Sequence, residues 1–258
     1  MIIKFQKFQG AGNDFIIIDN RNLLYDFTTQ IVERLCHRKF GIGADGLILL
    51  ENCPDYDFYM RYFNSDGKEA SMCGNGGRCI AAFAHQLGLF KETTHFLAVD
   101  GPHEAILTPN GIQLKMCNVT EIIIQPDYFF LNTGSPHYVC LVEDAFQTDV
   151  FQEGSRIRNL LQFQPEGTNV NFITPTPSYI KVATYERGVE DETLACGTGC
   201  VASALATSIL RNDNHNTYAI KTKGGNLKVS FKREKGTQFI NIWLEGPAEF
   251  VFSGEITI

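Results

Sequence analysis

The sequence lacks the features of several large protein classes. Its 258 residues carry a formal net charge of −7 and contain no basic block that would outweigh this charge, which argues against a nucleic-acid partner. No stretch approaches the roughly 20 consecutive apolar residues of a membrane-spanning helix. The first residues lack the apolar core and the cleavage site of a secretion signal. We therefore expect a cytoplasmic protein with no nucleic-acid partner and no membrane partner.

Disulfide and metal motifs are also scarce, although the chain contains eight cysteines. No pair has the C-x-x-C spacing of thioredoxin-like sites. Cys196 and Cys200 have the spacing of zinc ligands, but Cys73 and Cys79 do not, and no nearby histidine completes a set. Free thiols in a reducing compartment are the expected state. We interpret most of the cysteines as small hydrophobic core residues, namely Cys36, Cys53, Cys79, Cys117, Cys140 and Cys200.

What the chain has in quantity is apolar, strand-forming sequence. Hydrophobic residues make up 44% and charged residues 20% of the chain, which is typical of a globular protein with a full core. Helices are predicted over 29–39 and 154–161, and a further helix after each of two Cys-Gly segments. Short runs rich in β-branched and aromatic residues predict strands at 15–18, 46–50, 57–63, 95–99, 104–108, 112–117, 129–132, 137–142, 171–174, 179–185, 218–223, 227–231 and 239–244.

The strand pattern restarts near 118–126, which is the best boundary within the chain. We predict an α+β fold with two pseudo-symmetric lobes, 1–121 and 122–258, with the final strand free to pack back on the first lobe. Each lobe is expected to form a curved, mostly antiparallel sheet around a central helix. The active site is expected in the cleft between the lobes, because pockets favour domain interfaces.

The two Cys-Gly segments repeat one pattern. Residues 72–76 read Met-Cys-Gly-Asn-Gly and residues 195–199 read Ala-Cys-Gly-Thr-Gly, and a helix-forming run follows each segment. A thiol at a helix N-terminus lies at the positive end of the helix dipole, which lowers its pKa from about 8.5 towards neutrality. We therefore predict one reactive thiol in each lobe, Cys73 in the first and Cys196 in the second.

Three interpretations of these thiols remain open at this point. In the first, the thiols face each other, and one removes a proton from a carbon acid while the other delivers a proton to the opposite face. This inverts a stereocentre without a cofactor, and the backbone N–H groups of the turns bind a carboxylate. The second interpretation is redox or metal chemistry. The third is simple core packing, which fits Cys73 and Cys196 poorly because both precede the same Gly-rich turn.

Several segments resemble the diaminopimelate epimerase family. They are 8–15, 63–67, 72–78 and 186–188 leading to 195–199, and the resemblance runs in the same order from about residue 5 to residue 254. The resemblance implies a two-lobed, cofactor-independent enzyme that interconverts LL- and meso-diaminopimelate for lysine and peptidoglycan precursors. Position by position, it implies that Cys73 and Cys196 are the acid/base thiols. It also implies substrate-binding roles for Asn13, Asn64, Asn169, Glu186 and Arg187, and binding of the reacting α-carboxylate by Gly74, Asn75, Gly197 and Thr198.

The same residues also have plainer interpretations. Asn13 and Asn64 fit turns, and Thr198 fits a helix cap. Glu186 and Arg187 fit a surface ion pair that contributes little to stability. The histidines are interpreted as structural, namely His37, His85 and His137.

The chain departs from the family pattern at several positions. Gln9 and Gly46 stand where many members have His and Gln, and Ser135 stands where the family usually has Asn. The connection from Glu186 to Cys196 also looks one residue longer. We include Ser135 among the substrate-binding positions, but its hydroxyl lacks the paired donor and acceptor of an amide.

These departures leave rival functions open. One alternative is a racemase of a related amino acid such as glutamate, as a second or broadened activity. Another is a non-catalytic ligand-binding scaffold, which the presence of both Cys-Gly segments disfavours. The expected partner is a small amino-acid substrate, no cofactor or metal is expected, and a homodimer is left open.

Overall fold

A computed structural model describes residues 2–258. The helices are α1 (Thr29–Cys36), α2 (Gly74–Gln86), α3 (Val150–Arg158) and α4 (Gly197–Arg211). The strands are β1 (Ile2–Gly10), β2 (Asn13–Asp19), β3 (Gly46–Glu51), β4 (Phe58–Asn64), β5 (Glu69–Ala70), β6 (Thr93–Ala98), β7 (Gly101–Thr108), β8 (Gly111–Lys115), β9 (Ile122–Ile124), β10 (Phe129–Asn132), β11 (Pro136–Leu141), β12 (Asn169–Pro175), β13 (Ile180–Glu186), β14 (Asp191–Thr193), β15 (Thr217–Thr222), β16 (Gly225–Arg233), β17 (Phe239–Gly246) and β18 (Glu249–Thr257).

The chain forms two compact units. Unit 1 runs to Leu114 and also contains the C-terminal segment Gly246–Ile258, whereas unit 2 is Lys115–Glu245. In unit 1, strand β18 pairs antiparallel with β1, and β1 pairs with β2. Strand β2 then runs parallel to β3, and β3 is antiparallel to β4. Strand β4 pairs with the short β5 and with the parallel β6, which leads antiparallel to β7 and β8.

Unit 2 repeats this strand order. Strands β9, β10 and β11 pair antiparallel, β11 runs parallel to β12, and β12 is antiparallel to β13. Strand β13 pairs with the short β14 and with the parallel β15, which leads antiparallel to β16 and β17. The prediction of two similar, mostly antiparallel lobes is confirmed. The strands of each unit follow the same order, and in each unit two of the neighbouring strand pairs are parallel while the others are antiparallel.

Each sheet packs a helix on both faces. In unit 1, α2 contacts β1, β2, β3 and β7, while α1 covers the other face with Val32 and Leu35. In unit 2, α4 contacts β10 to β13, β15 and β16, while α3 covers the other face with Val150 and Ile157. Because side chains alternate along a strand, one face of each sheet packs against an outer helix, α1 or α3, and the other face packs against a central helix, α2 or α4. The central helix of each unit is the one that follows a Cys-Gly segment.

Two of the predicted helix boundaries are wrong. Helix α1 ends at Cys36 rather than at 39, because the following turn folds back and donates from Ile42 N and Gly43 N to Leu35 O. A Cβ on Gly41 would lie 1.9 Å from Arg34 O, so only glycine allows this close return. Helix α3 begins at Val150 rather than at 154, because the Asp149 carboxylate accepts from Gln152 N at 3.0 Å and caps the helix there.

The cysteines differ in exposure, and all eight are free thiols. Cys36 and Cys140 are buried as expected, and burial raises the pKa of each thiol to about 12. The core interpretation is wrong for Cys117, which is exposed, and for Cys53, which is only half-buried. In the part of the chain that the structure describes, no helix has the length and apolar character needed to span a membrane.

Candidate active site

Cys73 lies at the N-terminus of the central helix of unit 1. Its backbone is extended, with φ −96° and ψ 148°, and its side chain caps helix α2. Gly76 N donates to Cys73 Sγ at 3.2 Å, and Cys73 as a residue is half-buried. A Cβ on Gly76 would lie 3.1 Å from this sulfur, so the glycine leaves room for the thiol above the first turn. The predicted placement of Cys73 at a helix N-terminus is confirmed.

A chain of polar side chains connects this turn to the β2–β3 region. Asn13 Nδ2 donates to Asp45 Oδ2 at 2.6 Å, and Asn75 Nδ2 donates to Asn13 Oδ1 at 3.3 Å. Arg78 Nη2 then donates to Asn75 Oδ1 at 2.9 Å, while Arg78 Nη1 reaches Gly74 O at 3.3 Å. Arg78 is fully buried, and its Nε donates to Pro247 O at 3.2 Å. The fixed guanidinium therefore holds the first turn of α2 and the side chain of Asn75 in place.

Asp14 anchors the segment that carries Asn13. Its carboxylate lies 2.8 Å from the buried Lys7 Nζ and 2.8 Å from Arg38 Nη2. Partial burial alone would raise the pKa of Asp14, but hydrogen bonds and charge interactions with Arg38 and Lys7 outweigh it and lower the pKa to about 2. The carboxylate therefore stays ionised at neutral pH and ties the end of β1 to the start of β2.

Asn64 and Gly46 lie opposite each other in the register of β3 and β4. Asn64 is exposed at the end of its strand, and its backbone closes the turn to Gly67 and Lys68. A Cβ on Gly46 would lie 2.5 Å from Tyr62 Cε2 and 2.7 Å from Phe63 O. The ring of Tyr62 thus fills the space that a side chain at position 46 would need, which gives the departure at Gly46 a structural reason.

Cys196 occupies the equivalent position in unit 2. It is the N-cap residue of α4, and its sulfur is buried 3.4 Å from Thr198 Oγ1. The expectation of a lowered pKa is wrong for this thiol. Burial raises the pKa of Cys196 well above its usual range, and the Glu186 carboxylate raises it further, while the hydrogen bond with Thr198 opposes them only in part. Desolvation therefore outweighs the hydrogen bonds from Thr198 and Gly199 that favour the thiolate, and Cys196 is protonated at neutral pH.

Polar side chains of β11, of β12 and of the turn before β11 gather near the first turn of α4. Asn169 Nδ2 donates to Ser135 Oγ at 3.1 Å and to Pro136 O at 3.0 Å, and its Oδ1 accepts from Arg187 N at 2.9 Å. Ser135 Oγ also lies 3.0 Å from His137 Nε2 and 3.4 Å from Thr198 Oγ1. The structure thus brings Ser135, Asn169, Thr198 and Cys196 into one hydrogen-bonded group.

Glu186 and Arg187 lie at the β13–β14 turn. Glu186 Oε2 accepts from Thr193 Oγ1 at 2.7 Å, and Arg187 Nη1 donates to Glu166 O at 3.4 Å. The turn closes with Gly188 at φ 94° and Glu190 at φ 61°, which accommodates the long connection noted in the sequence. The Glu186 carboxylate raises the pKa of the Cys196 thiol, so we count this acid in the same local site.

The remaining helix cysteines lack this setting. Cys79 and Cys200 are fully buried, and burial raises the pKa of Cys79 far above its usual range. Within residues 2–258, no three His, Cys, Asp or Glu side chains are grouped closely enough to hold a metal ion.

Four of the residues that organise the two sites were not singled out for that role from the sequence. Asp45 and Arg78 fix the turn in unit 1, while Asn171 and His137 fix the group in unit 2. A signal was available for Arg78. It is a charged residue in the apolar helix that follows the first Cys-Gly segment, and a charged side chain is buried in such a helix only when it has polar partners. No local signal marks Asn171, since its partners lie on other strands.

The matching family model is described as diaminopimelate epimerase and covers residues 5–120 and 129–251. The protein named diaminopimelate epimerase from Flavobacterium psychrophilum is 50% identical over 257 residues, which are 98% of this chain and 100% of that protein. Its namesake from Chlorobaculum tepidum is 44% identical over 259 residues, covering 96% of this chain and 99% of that protein.

Solved structures of lower identity share the fold. A phenazine biosynthesis protein of the PhzF family from Bacillus anthracis is 14% identical with a TM-score of 0.80, over 100% of both chains. A probable proline racemase from Agrobacterium radiobacter, solved with bound carbonate, is 15% identical with a TM-score of 0.69, over 99% of this chain and 93% of that one. At these identities the likeness is one of fold alone.

Proposed function

Since this chain belongs to the diaminopimelate epimerase family and is an isomerase, we propose that it interconverts LL- and meso-diaminopimelate with a thiolate/thiol pair and no cofactor. The observation that carries the proposal is the repeated geometry of Cys73 and Cys196. Each is the N-cap residue of the central helix of its unit, and each is followed by a Gly-rich first turn. A duplicated fold therefore presents the same acid/base group twice.

The reaction needs one thiolate and one thiol on opposite faces of the α-carbon. In the forward direction the thiolate takes the α-proton, so that a C–H bond breaks and an S–H bond forms. The thiol then gives its proton to the other face of the carbanion, and the S–H bond breaks as a new C–H bond forms. The two cysteines finish with exchanged protonation states, and the stereocentre is inverted.

The environments of the two cysteines support this division of roles. Burial and Glu186 raise the pKa of Cys196, which favours the thiol, the proton donor in this scheme. Cys73 is less buried and accepts from Gly76 N at 3.2 Å, an interaction that stabilises negative charge on its sulfur. We assign the resting thiolate to Cys73 and the resting thiol to Cys196, so the resting enzyme acts first on the isomer whose α-proton points to Cys73.

The helix turns supply the charge stabilisation that a carbanion needs. The first residues of α2 are Gly74 and Asn75, and those of α4 are Gly197 and Thr198. The first N–H groups of a helix point out of its N-terminus, at the positive end of the helix dipole, so these turns suit an α-carboxylate. Hydrogen bonds to this carboxylate would stabilise the charge that spreads onto it in the transition state. The distal ammonium and carboxylate of the substrate are assigned to Glu186 and Arg187 with Asn13, Asn64 and Asn169.

Solvent exchange tests the proposal directly. The purified protein is incubated in heavy water with LL-diaminopimelate and no added cofactor, and the products are followed by NMR. We expect meso-diaminopimelate that carries deuterium at the inverted α-carbon, because the proton comes from the enzyme thiol, which exchanges with solvent. A protein that neither inverts the substrate nor exchanges its α-proton would exclude the epimerase and would leave a racemase of another amino acid or a binding scaffold.

A broader specificity is a second candidate, and two observations favour it. Position 46 has no side chain, and Tyr62 fills the space there. The Ser135 hydroxyl is already held by Asn169 and His137 inside unit 2. At both positions the chain thus has no side-chain amide, where many family members have Gln at position 46 and Asn at position 135 to contact a polar substrate. Incubation of glutamate and other amino acids in heavy water tests this, and absence of α-deuteration in all of them restricts the enzyme to diaminopimelate.

The cellular setting belongs to the same proposal. The reaction would serve lysine and peptidoglycan-precursor biosynthesis, and free catalytic thiols require a reducing compartment, so we assign the protein to the cytoplasm. We also propose a homodimer, supported by the C-terminal strand β18 of unit 1. This strand exposes a row of large apolar side chains, Phe250, Val251 and Phe252. Light scattering after size exclusion measures the mass, and a monomer at micromolar concentration would contradict this assignment.

A further inference from the structure

A continuous hydrogen-bond chain runs through unit 2 from a buried imidazole to the sulfur of Cys196. His137 is fully buried on β11, and its ring nitrogens contact Asn171 Nδ2 and Ser135 Oγ, both at 3.0 Å. Ser135 Oγ lies 3.4 Å from Thr198 Oγ1, which in turn lies 3.4 Å from Cys196 Sγ. Three groups, His137, Ser135 and Thr198, therefore connect Asn171 to a proposed catalytic thiol.

The direction of each hydrogen bond follows from the fixed ends of the chain. Asn171 Oδ1 accepts from Thr184 Oγ1 at 2.9 Å, and Asn171 Nδ2 also donates to Tyr138 O at 3.0 Å, so the amide cannot be reversed. The ring nitrogen Nδ1 of His137 thus faces a donor and must accept. Burial lowers the pKa of His137 to about 3, so the ring is neutral and carries its single proton on Nε2.

The directions of the hydrogen bonds made by the Ser135 and Thr198 hydroxyl groups follow from this tautomer of His137. Ser135 Oγ accepts one hydrogen bond from His137 Nε2–H and a second from Asn169 Nδ2. The orientation of the Asn169 amide is fixed by Pro136 O and Arg187 N. With two donors already on its oxygen, Ser135 points its own O–H at Thr198 Oγ1. The Thr198 hydroxyl then has Cys196 Sγ as its acceptor. Thr133 Oγ1 holds the residue itself by donating to Thr198 O at 2.9 Å.

We propose that His137 is a positioning residue that, through Ser135 and Thr198, fixes a hydroxyl donor on the sulfur of Cys196. The role rests on the proposed function, in which Cys196 alternates between thiol and thiolate. A hydroxyl held as a donor stabilises the thiolate each time Cys196 gives up its proton, and it leaves the S–H free to point at the substrate. Ser135, the departure from the family pattern, is the link that transmits this order.

The tautomer of His137 gives a test that needs no turnover. In protein labelled with ¹⁵N-histidine, NMR assigns the ring proton of His137 to Nε2 or Nδ1. We expect Nε2–H in the wild type and Nδ1–H in Asn171→Asp, whose carboxylate can only accept from the ring. A wild-type ring with its proton on Nδ1 would overturn the proposal even if the enzyme proved fully active.

Kinetics separates positioning from a merely structural role. We expect Ser135→Ala and Asn171→Asp each to lower kcat about tenfold with little change in KM. The double variant should also lose about tenfold, because reversing the tautomer has no effect once the link at Ser135 is absent. A loss of about a hundredfold in the double variant would contradict the chain. Thr207→Val is the matched control, since it removes a buried hydroxyl on α4 that donates to Ser203 O, away from the hydrogen-bond chain, and it should leave kcat unchanged.

A second pair of variants covers the case in which Asn171→Asp does not fold. His137→Gln places an amide donor near the position of Nε2 and should keep most of kcat, whereas His137→Met has no donor and should lose about tenfold. Equal losses in the two variants would overturn the proposal. A wild type without epimerase activity but with the Nε2–H tautomer would reject the proposed function and leave the hydrogen-bond order standing.

Discussion

At the scale of single residues, burial decides which groups carry charge. The same loss of water holds Cys196 and Cys79 as thiols and His137 as a neutral imidazole. Asp14 escapes this effect because Lys7 and Arg38 lie against it. The charged groups of each site are therefore those that have a partner.

Replacing the cysteines one by one tests their roles. Cys73→Ala and Cys196→Ala should each lower turnover by about a thousandfold or more, because each thiol serves one face of the carbon and acid/base groups contribute roughly 10²–10⁴-fold. Cys79→Ala and Cys200→Ala are the matched controls, since each removes a buried thiol from the same helix. They should cost only about 1 kcal/mol of stability. Initial rates and thermal melts are compared, and a control that abolished turnover without lowering the melting temperature would reassign the working thiols.

The neutral state of His137 predicts a pH-dependent stability. Its folded pKa of about 3 lies below the usual 6.5, so the unfolded chain takes up a proton that the folded chain excludes. The contribution of His137 to the free energy of unfolding is therefore complete above pH 6.5 and is lost as the pH falls from 6.5 towards 3. The slope of this loss is at most about 1.4 kcal/mol per pH unit.

Urea unfolding between pH 4.5 and 7 measures this slope. We expect the wild type to lose stability towards acid more steeply than His137→Gln, which has no titrating ring. The contribution of Asp14 falls below pH 3.8 and does not enter this range. Parallel curves for the two proteins would show that His137 titrates normally in the folded state.

At the scale of secondary-structure elements, close packing of α4 depends on a glycine. A Cβ on Gly199 would lie 2.3 Å from Asn171 Oδ1 and 3.2 Å from Thr184 Oγ1. Gly199→Ala should therefore destabilise the protein by about 1–3 kcal/mol, although alanine favours a helix by about 1 kcal/mol. Chemical denaturation compares the free energy of unfolding of this variant with that of Thr207→Val, a change in the same helix that adds no volume. An alanine variant as stable as the wild type would mean that α4 does not pack this closely on β12 and β13.

The elements that could be predicted from the sequence are those with a strong local pattern. The helix starts at Cys73 and Cys196 follow from a small turn before an apolar run, and the long strands follow from their β-branched and aromatic residues. Strands β5 and β14 contain only two and three residues, too few for a pattern. Strand β18 is mostly exposed on both faces, so it has no alternation between buried and exposed positions. The hydrogen-bond group around Ser135 joins residues up to 63 positions apart, which no local pattern encodes.

At the scale of the whole molecule, one strand order serves two different electrostatic settings. In unit 1 the first turn of the central helix is held by the buried guanidinium of Arg78. In unit 2 the equivalent turn lies near the Glu186 carboxylate and a neutral histidine network. The first turn of α2 therefore has a cation beside it, whereas burial and the Glu186 carboxylate keep Cys196 a thiol at the first turn of α4. Duplication thus supplies matched geometry, while a few side chains supply the difference in charge that the proposed reaction needs.

The molecule as a whole is expected to work as a catalyst without a metal ion. The proposed chemistry uses only thiols and backbone N–H groups, so exhaustive dialysis against a chelator should leave the rate of epimerisation unchanged. Iodoacetamide should abolish the same activity, because alkylation removes the thiolate on which proton transfer depends. Substrate present during alkylation should protect Cys73, which peptide mass spectrometry reads directly. Loss of activity on chelation, with recovery on addition of zinc, would instead favour metal chemistry and would remove the thiolate/thiol pair as the basis of the reaction.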